Sequence, residues 1–252
     1  MQLIKPIRNL VAFSTIIPVG MDPDGLSWAA EAMPLFPAIG AFTGLVAGLI
    51  TWGLELVLPV LLVAVLGLGA LLLLNGAQHL DGLLDFGDGM MFHGSRSRKL
   101  RVMRDSQTGA GGFVLGWMTL SATVAAIASL NRGLVVQALL VSEGAASFSM
   151  VLEARAGKAA HEGMSSIFVN SMHSREGNLR FALSVALLVL ISVAMLGAIG
   201  VAVCCAAVIV SLLVLRVSSK AFGGITGDVM GATNELTRLM SLVVILVGLT
   251  WL

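Results

Sequence analysis

An all-α, polytopic integral membrane bundle of about seven transmembrane helices is the fold class this chain predicts, and three observations predict it. Hydrophobic residues fill 57% of the 252 positions and charged residues only 12%, against about 25% charged in a soluble domain. The apolar residues gather into runs near the roughly 20 residues that cross a bilayer. The basic residues fall almost entirely on one side of those runs, as lysine and arginine do on the cytoplasmic side.

The first element, Ile7 to Val19, is only moderately apolar and ends at Pro18, so it is expected to be interfacial or re-entrant rather than a full span. Spans are predicted near 33–57, 59–78, 109–130, 133–152, 181–199, 201–217 and 239–252, the last one short. With the count at seven, Lys5, Arg8, the bases from Arg96 to Arg104, Arg155, Lys158, Arg175, Arg180, Arg216, Lys220 and Arg238 share one side. Arg132 alone takes the other. A count wrong by one would scramble this partition, so it supports the number of spans as well as a multi-pass chain in the cytoplasmic (inner) membrane with its long loops in the cytoplasm. Residues 1–252 read as one membrane-embedded domain, with no linker, low-complexity tail or internal repeat. Met1 to Gly20 lacks a long apolar core and a small-residue cleavage site, so no cleavable signal peptide is expected.

Composition also narrows the function. Fifteen basic against 14 acidic residues argue against a nucleic-acid partner. The only cysteines, Cys204 and Cys205, are neighbours in an apolar run and read as small apolar residues, not a disulfide or a zinc set. Twenty-nine glycines suit close helix packing in lipid and leave homo-oligomerisation open.

The chemistry concentrates in three segments. Asp81, Asp85 and Asp88 directly follow the apolar run Leu71 to Leu74. At i, i+4 and i+7 they would share one face of a helix, and three carboxylates that close repel unless a cation lies between them. Oxygen-only ligands favour Mg²⁺, which commonly comes with phosphates. The expectation is a membrane enzyme acting on a phosphate or diphosphate. Next come Arg96, Arg98, Lys99, Arg101 and Arg104, then Asp105-Ser106-Gln107-Thr108-Gly109-Ala110-Gly111-Gly112. Acids for metal, bases for phosphate oxygens and a glycine-rich helix start for backbone amides form a phosphate-handling set. The third segment, Gly223 to Glu235, supplies Thr226, Asp228, Asn234 and Glu235 among glycines that permit tight turns.

These segments, with Pro34-Leu35-Phe36-Pro37-Ala38-Ile39-Gly40 and the opening Phe13-Ser14-Thr15-Ile16-Ile17-Pro18, resemble the cobalamin synthase family, the adenosylcobinamide-GDP ribazoletransferases. The likeness runs along essentially the whole chain, with Asp-Gly-Leu-x-Asp-x-x-Asp-Gly, Met-x-Asp-Ser-x-x-Gly and Gly-Gly-x-Thr-Gly-Asp-x-x-Gly-Ala in the family's order. Met90-Met91-Phe92-His93 is bulkier than the glycine-rich loop of bacterial members. The resemblance implies that adenosylcobinamide-GDP and α-ribazole, or its 5′-phosphate, give the cobalamin or its phosphate plus GMP. Mg²⁺ ligands are then expected at Asp81, Asp85, Asp88 and Asp228, and a general base at Asp85 or Asp105. Substrate contacts are expected from Lys99, Arg101, Arg104, Ser106, Thr226, Asn234, Glu235 and Glu143.

Other polar residues carry two readings each. Glu143, alone in an apolar helix, is a buried partner for a basic loop residue or part of the substrate cavity, with function favoured. Asn75 and Gln78 serve helix contacts or support the acids. Glu55 reads as interfacial, and His79 and His93 as loop histidines. His161 and His173 lie in a loop that either closes over a substrate or merely connects. Another Mg²⁺-dependent membrane transferase, for phosphoalcohols or prenyl diphosphates, is the alternative, but its acidic motifs differ and leave Thr226-Gly227-Asp228 unexplained. A transporter would spread ionisable groups through several mid-bilayer helices, whereas here they gather in the loops.

Overall fold

Lipid offers the backbone no hydrogen-bond partner, so each apolar run has to satisfy its peptide groups internally and becomes a helix. The computed structural model describes residues 4–250; the last two positions of the span predicted at 239–252 lie outside that range. α1 (Ile4–Ser14) is amphipathic, buries Asn9 and Leu10, and packs on α2 (Gly25–Glu31). Asn9 fastens the connection by donating to Asp22 Oδ2 at 2.9 Å and accepting the Asp22 N–H at 2.8 Å. Arg8 pairs with the same carboxylate. α1 is therefore no span.

After a 3₁₀ turn at Met33–Leu35 come α3 (Phe36–Leu54), α4 (Val60–Leu74), α5 (Gln78–Met91) and the short α6 (Arg96–Val102). α7 (Ala110–Ser129), α8 (Val135–Ala156), α9 (Met164–Met172), α10 (Gly177–Ala221) and α11 (Gly227–Thr250) complete the chain. α8 is the axis of the bundle, buried along nearly its whole length and packed by α3, α10 and α11. α3 approaches it through Gly40, Gly44 and Gly48. At Gly48 an added Cβ would lie 2.9 Å from the Val136 Cα, a backbone approach of the kind that small residues permit between membrane helices.

Five helical segments are long and apolar enough to cross a membrane, and one of them is the 45-residue α10. It is not one rod. Gly197, at φ 55° and ψ −126°, interrupts it, and Gly200 presses on the Ser192 backbone with no room for a side chain. In a continuous helix residues eight apart are about 12 Å apart along the axis, so the chain has reversed. Residues 177–196 and 198–221 are two limbs, each about 30 Å long or more at 1.5 Å per residue. Counting both limbs and adding α4, which qualifies only together with the bent α5, matches the seven predicted segments, with the fifth and sixth meeting at Gly197.

One boundary needs correction. The last helix starts at Gly227, not near 239, so much of the segment read as a third loop is helix inside the bundle. Arg238, counted above with the loop bases, is fully buried. The two ends of the bundle differ in character. At one, Arg132 lies 5.0 Å from the Trp52 ring and 3.9 Å from Glu55. The other carries α1, α2, α5, α6 and α9. There Ala159 bridges Ile225, the only pairing of extended backbone among the described residues. It joins the chain after α8 to the chain before α11.

Candidate active site at the polar end of the bundle

The site begins with a bend. Gly76 and Ala77 both take positive φ, 61° and 55°, and α5 leaves α4 at 95°. It then lies across the first turns of α7 and α11, outside the spans. Glycine allows that crossing: a Cβ on Gly82 would sit 2.9 Å from the Asp228 Cα, and one on Gly231 3.0 Å from the His79 carbonyl oxygen.

The crossing brings Asp228 of α11 to the acids of α5. Asp85 is pushed up to about 7, first by burial and then by the charges of Asp228, Asp81 and Asp88. Thr226 donates to Asp228 Oδ2 at 3.2 Å and accepts the Val229 N–H at 3.2 Å, so one hydroxyl both caps α11 and steadies its carboxylate. Asp88 is drawn elsewhere. Its Oδ2 accepts the Gly109 N–H at 2.7 Å and its Oδ1 the Gly112 N–H at 2.8 Å. That caps the start of α7, where a carboxylate also meets the positive end of the helix dipole. Of the four acids expected to hold metal, Asp81, Asp85 and Asp228 are the ones left free of backbone amides.

The bases divide in the same way. Lys99 donates to the Gly89 and Met90 carbonyls, 3.2 Å each, closing the end of α5. Arg96 donates to the Lys220 carbonyl at 3.2 Å. Arg101 and Arg104 are exposed, and Arg104 is close enough for its charge to act at Asp228, as is His161. Asp105 and Ser106 lie on the exposed loop before α7, where Asp105 Oδ1 accepts the Gln107 N–H at 3.2 Å.

Glu143, Asn234 and Glu235 meet inside the bundle, around Arg238. The guanidinium binds Glu143 through Nε and Nη2, Glu235 through Nη1, and Asn234 Oδ1 through Nη2 at 3.2 Å. Glu143 thus takes the role of buried ion-pair partner and not the favoured one in a substrate cavity, its base coming from a helix rather than a loop. Glu153 was not anticipated. It is fully buried in α8 and accepts a 2.7 Å hydrogen bond from Thr233, but it follows directly on the span predicted to end at 152 and reads there as a loop acid.

A cavity of about 200 Å³ opens beside the acids, lined by Asp81, Asp228, Gln78, His79 and Ser165 on one side. Phenylalanines and methionines form the rest, with Gly227 and Gly231. A wider groove of about 820 Å³ adjoins α9 and includes Lys158, His161 and His173.

The donor chemistry of the acids fits a divalent cation. All donors are carboxylate oxygens, and Asp85 is pushed up by burial and by its acidic neighbours, a repulsion that a cation relieves. Among the described residues no three Asp, Glu, His or Cys side chains converge as a ready-made cage. Mg²⁺ characteristically takes one or two carboxylates and completes its shell with water and substrate phosphate, so an open carboxylate set suits it.

Fold and site define a polytopic helical membrane protein that gathers carboxylates and exposed arginines at one bundle end. The chain belongs to the cobalamin-5-phosphate synthase family, whose model matches residues 6–246. It is 33% identical to the adenosylcobinamide-GDP ribazoletransferase of Methanococcoides burtonii, over 97% of this chain and 92% of that one. The same enzyme of Methanocella arvoryzae is 33% identical over 96% and 95%, and that of Pyrococcus abyssi 31% over 95% and 97%. No solved structure matches the chain.

Proposed function

We propose that the protein joins α-ribazole, or its 5′-phosphate, to adenosylcobinamide-GDP, giving adenosylcobalamin or its 5′-phosphate and releasing GMP. A ribazole hydroxyl oxygen forms a bond to the cobinamide-linked phosphorus. The bond from that phosphorus to the bridging oxygen of the diphosphate breaks, and the oxygen leaves with GMP. The hydroxyl proton passes to a carboxylate. The observation that carries the reading is the carboxylate set of α5 and α11, held against its own repulsion beside Arg104 in a chain of this family.

Asp81, Asp85 and Asp228 are the residues we assign to Mg²⁺. When bound, the ion would neutralise diphosphate oxygens and the charge that builds on the leaving group. Asp85 is suited to receive the hydroxyl proton only where Asp81 and Asp228 hold the ion without it, since its carboxyl is pushed up by burial and by its acidic neighbours and a bound cation would bring it down; Asp105 stands farther out on its loop. Arg104 and Arg101 hold phosphate oxygens from the exposed side. Lys99 acts on α5, whose end it closes, and Ser106 remains a contact from the loop. Thr226 orients Asp228. Glu143, Asn234 and Glu235 act from the interior, by holding α8 and α11 in register under the site.

We place this end of the bundle in the cytoplasm. Of the 15 basic residues, Arg132 lies at the opposite end and Arg238 in the interior, and the remaining 13 gather at the site end, as the positive-inside rule requires. Large anionic substrates would then enter from water. The test is GMP release by the purified protein in detergent or liposomes, with adenosylcobinamide-GDP and α-ribazole 5′-phosphate, with and without Mg²⁺. Magnesium-dependent GMP with a matching corrinoid product is expected; a folded protein that releases none refutes the reading.

A further inference from the structure

The cavity beside Asp81 and Asp228 is not explained by phosphate chemistry. Its apolar lining is formed by Phe13 of α1, Phe36 at the start of α3 and Phe168 of α9, with Met150, Met164 and Met230. Phe13 and Phe168 stand with ring centroids 5.1 Å apart, Phe36 and Phe168 5.9 Å apart at 62°. At such spacings the three rings pack on one another as one aromatic wall, against which a further flat ring can stack from the cavity side, and methionine sulfur adapts to it. None of these side chains offers a hydrogen bond to a phosphate or a sugar.

We propose that this cavity holds the flat, fused-ring base of the acceptor nucleoside. The inference rests on the transfer reaction proposed above and locates one of its substrates. A volume of about 200 Å³ takes two fused rings and not a corrin macrocycle. Ribazole is a nucleoside of benzimidazole, a base with a single free ring nitrogen and an otherwise apolar outline. Guanine is also a fused ring, but its polar edge carries several donors and acceptors, and any that face the phenylalanines and methionines rather than Gln78, His79 and Ser165 would be left unpaired and costly. With the base in the cavity, its ribose lies at the mouth, where Asp81 and Asp228 stand. That sets the attacking hydroxyl beside the acids without any further contact.

Met164 gives access to a test, because it lines the cavity yet is 50% exposed, so enlarging it does not overfill a sealed core. Binding of benzimidazole to the full-length protein in detergent is measured by calorimetry for wild type, Met164→Trp and Met164→Leu, with GMP as competitor. Wild type and Met164→Leu should bind the base. Met164→Trp should weaken it tenfold or more, and GMP should not displace it. In turnover, Met164→Trp should raise the KM for α-ribazole 5′-phosphate at least tenfold while leaving the KM for adenosylcobinamide-GDP unchanged. Displacement of benzimidazole by GMP would hand the cavity to guanine and overturn the proposal, as would benzimidazole binding and nucleoside KM unaltered in Met164→Trp. A wild-type protein that releases no GMP refutes the transfer reading alone. Calorimetry then decides the cavity by itself: base binding lost in Met164→Trp upholds it, and no base binding overturns it.

Discussion

The interior ion cluster makes the sharpest prediction about what holds the site in place. Arg238 is fully buried and stands between two carboxyl groups, Glu143 and Glu235. Glu143 occupies two of its nitrogens, whereas Glu235 takes one and leaves its Oε1 without a partner. Arg238→Met removes the only cation and strands both acids away from water, a change that costs about 3 kcal/mol or more for a buried pair. At about 2–4 °C per kcal/mol for a chain of this size, the thermal midpoint in detergent should fall by about 6–12 °C. Glu143→Gln keeps one acceptor and leaves Glu235 as counter-charge, so about 2 kcal/mol is expected. Glu235→Gln should cost about 1 kcal/mol or less, because its amide can occupy the place of the orphaned oxygen and a one-to-one ion pair remains. Replacing all three by Met, Leu and Met should recover much of the loss, as dry isosteres do elsewhere. Thermal midpoints followed by tryptophan fluorescence test the order. A fall below about 2 °C for Arg238→Met, or Glu235→Gln costing more than Glu143→Gln, would refute the account.

The site acids behave differently. Asp85 has its pKa raised from 3.8 to about 7 in the fold, so the proton is held more tightly folded than unfolded, and ionisation erodes stability as pH rises from about 4 through about 7. Asp85→Asn should therefore raise the thermal midpoint at pH 8 in EDTA and leave it unchanged near pH 3; an equal gain at both would remove the repulsion from the argument. Asp81→Asn should abolish GMP release while circular dichroism and thermal midpoint stay close to wild type, and loss of folding would make that acid structural. Asp88→Ala strips two amides at the start of α7 of their acceptor and should cost about 1–2 kcal/mol in unfolding experiments, with Asp88→Asn costing less; an unchanged stability would contradict capping. Arg104→Ala should raise the KM for adenosylcobinamide-GDP about tenfold, equivalent to about 1.4 kcal/mol of binding, and an unaltered KM would remove Arg104 from the phosphate site.

Helices whose burial is uniform were legible in the sequence, and those whose partners are distant were not. α3, α7 and α8 begin and end within about four residues of expectation because a long apolar run has one cause, the bilayer. α11 was shortened because Thr233, Asn234, Glu235 and Arg238 lower its hydropathy, and only Glu153 and Glu143, 80 to 95 residues earlier, make them a buried set. The carboxylate face at i, i+4 and i+7 was visible on spacing alone. That Asp88 would leave it to cap α7 depends on where Gly109 and Gly112 come to lie, which no local pattern records. The basic run read as one phosphate cluster for the same reason. Lys99 and Arg96 instead close helix ends whose carbonyls have no partner of their own. The cavity was invisible, since Phe13, Phe36 and Phe168 lie on three elements far apart in the chain.

The acids are spaced by backbone, and that explains how like charges stay together. α4 is a rigid span, and two consecutive positive-φ residues turn the chain out of it, one of them Ala77, which pays for that conformation as glycine does not. From there α5 has no freedom to drift. Gly82 seats it on the Asp228 backbone, Gly231 receives it at His79, and Asp88 pins its far end to the start of α7. Asp81 and Asp85 thus face Asp228 because three helix ends meet, not because their side chains attract one another. Repulsion between carboxylates raises a pKa without opening the structure, since moving them apart would break capping bonds and lift α5 from two helices at once. A site built this way arrives at its substrate already charged and already assembled. Cation and diphosphate can then relieve a strain that the fold, and no contact within the site, has imposed.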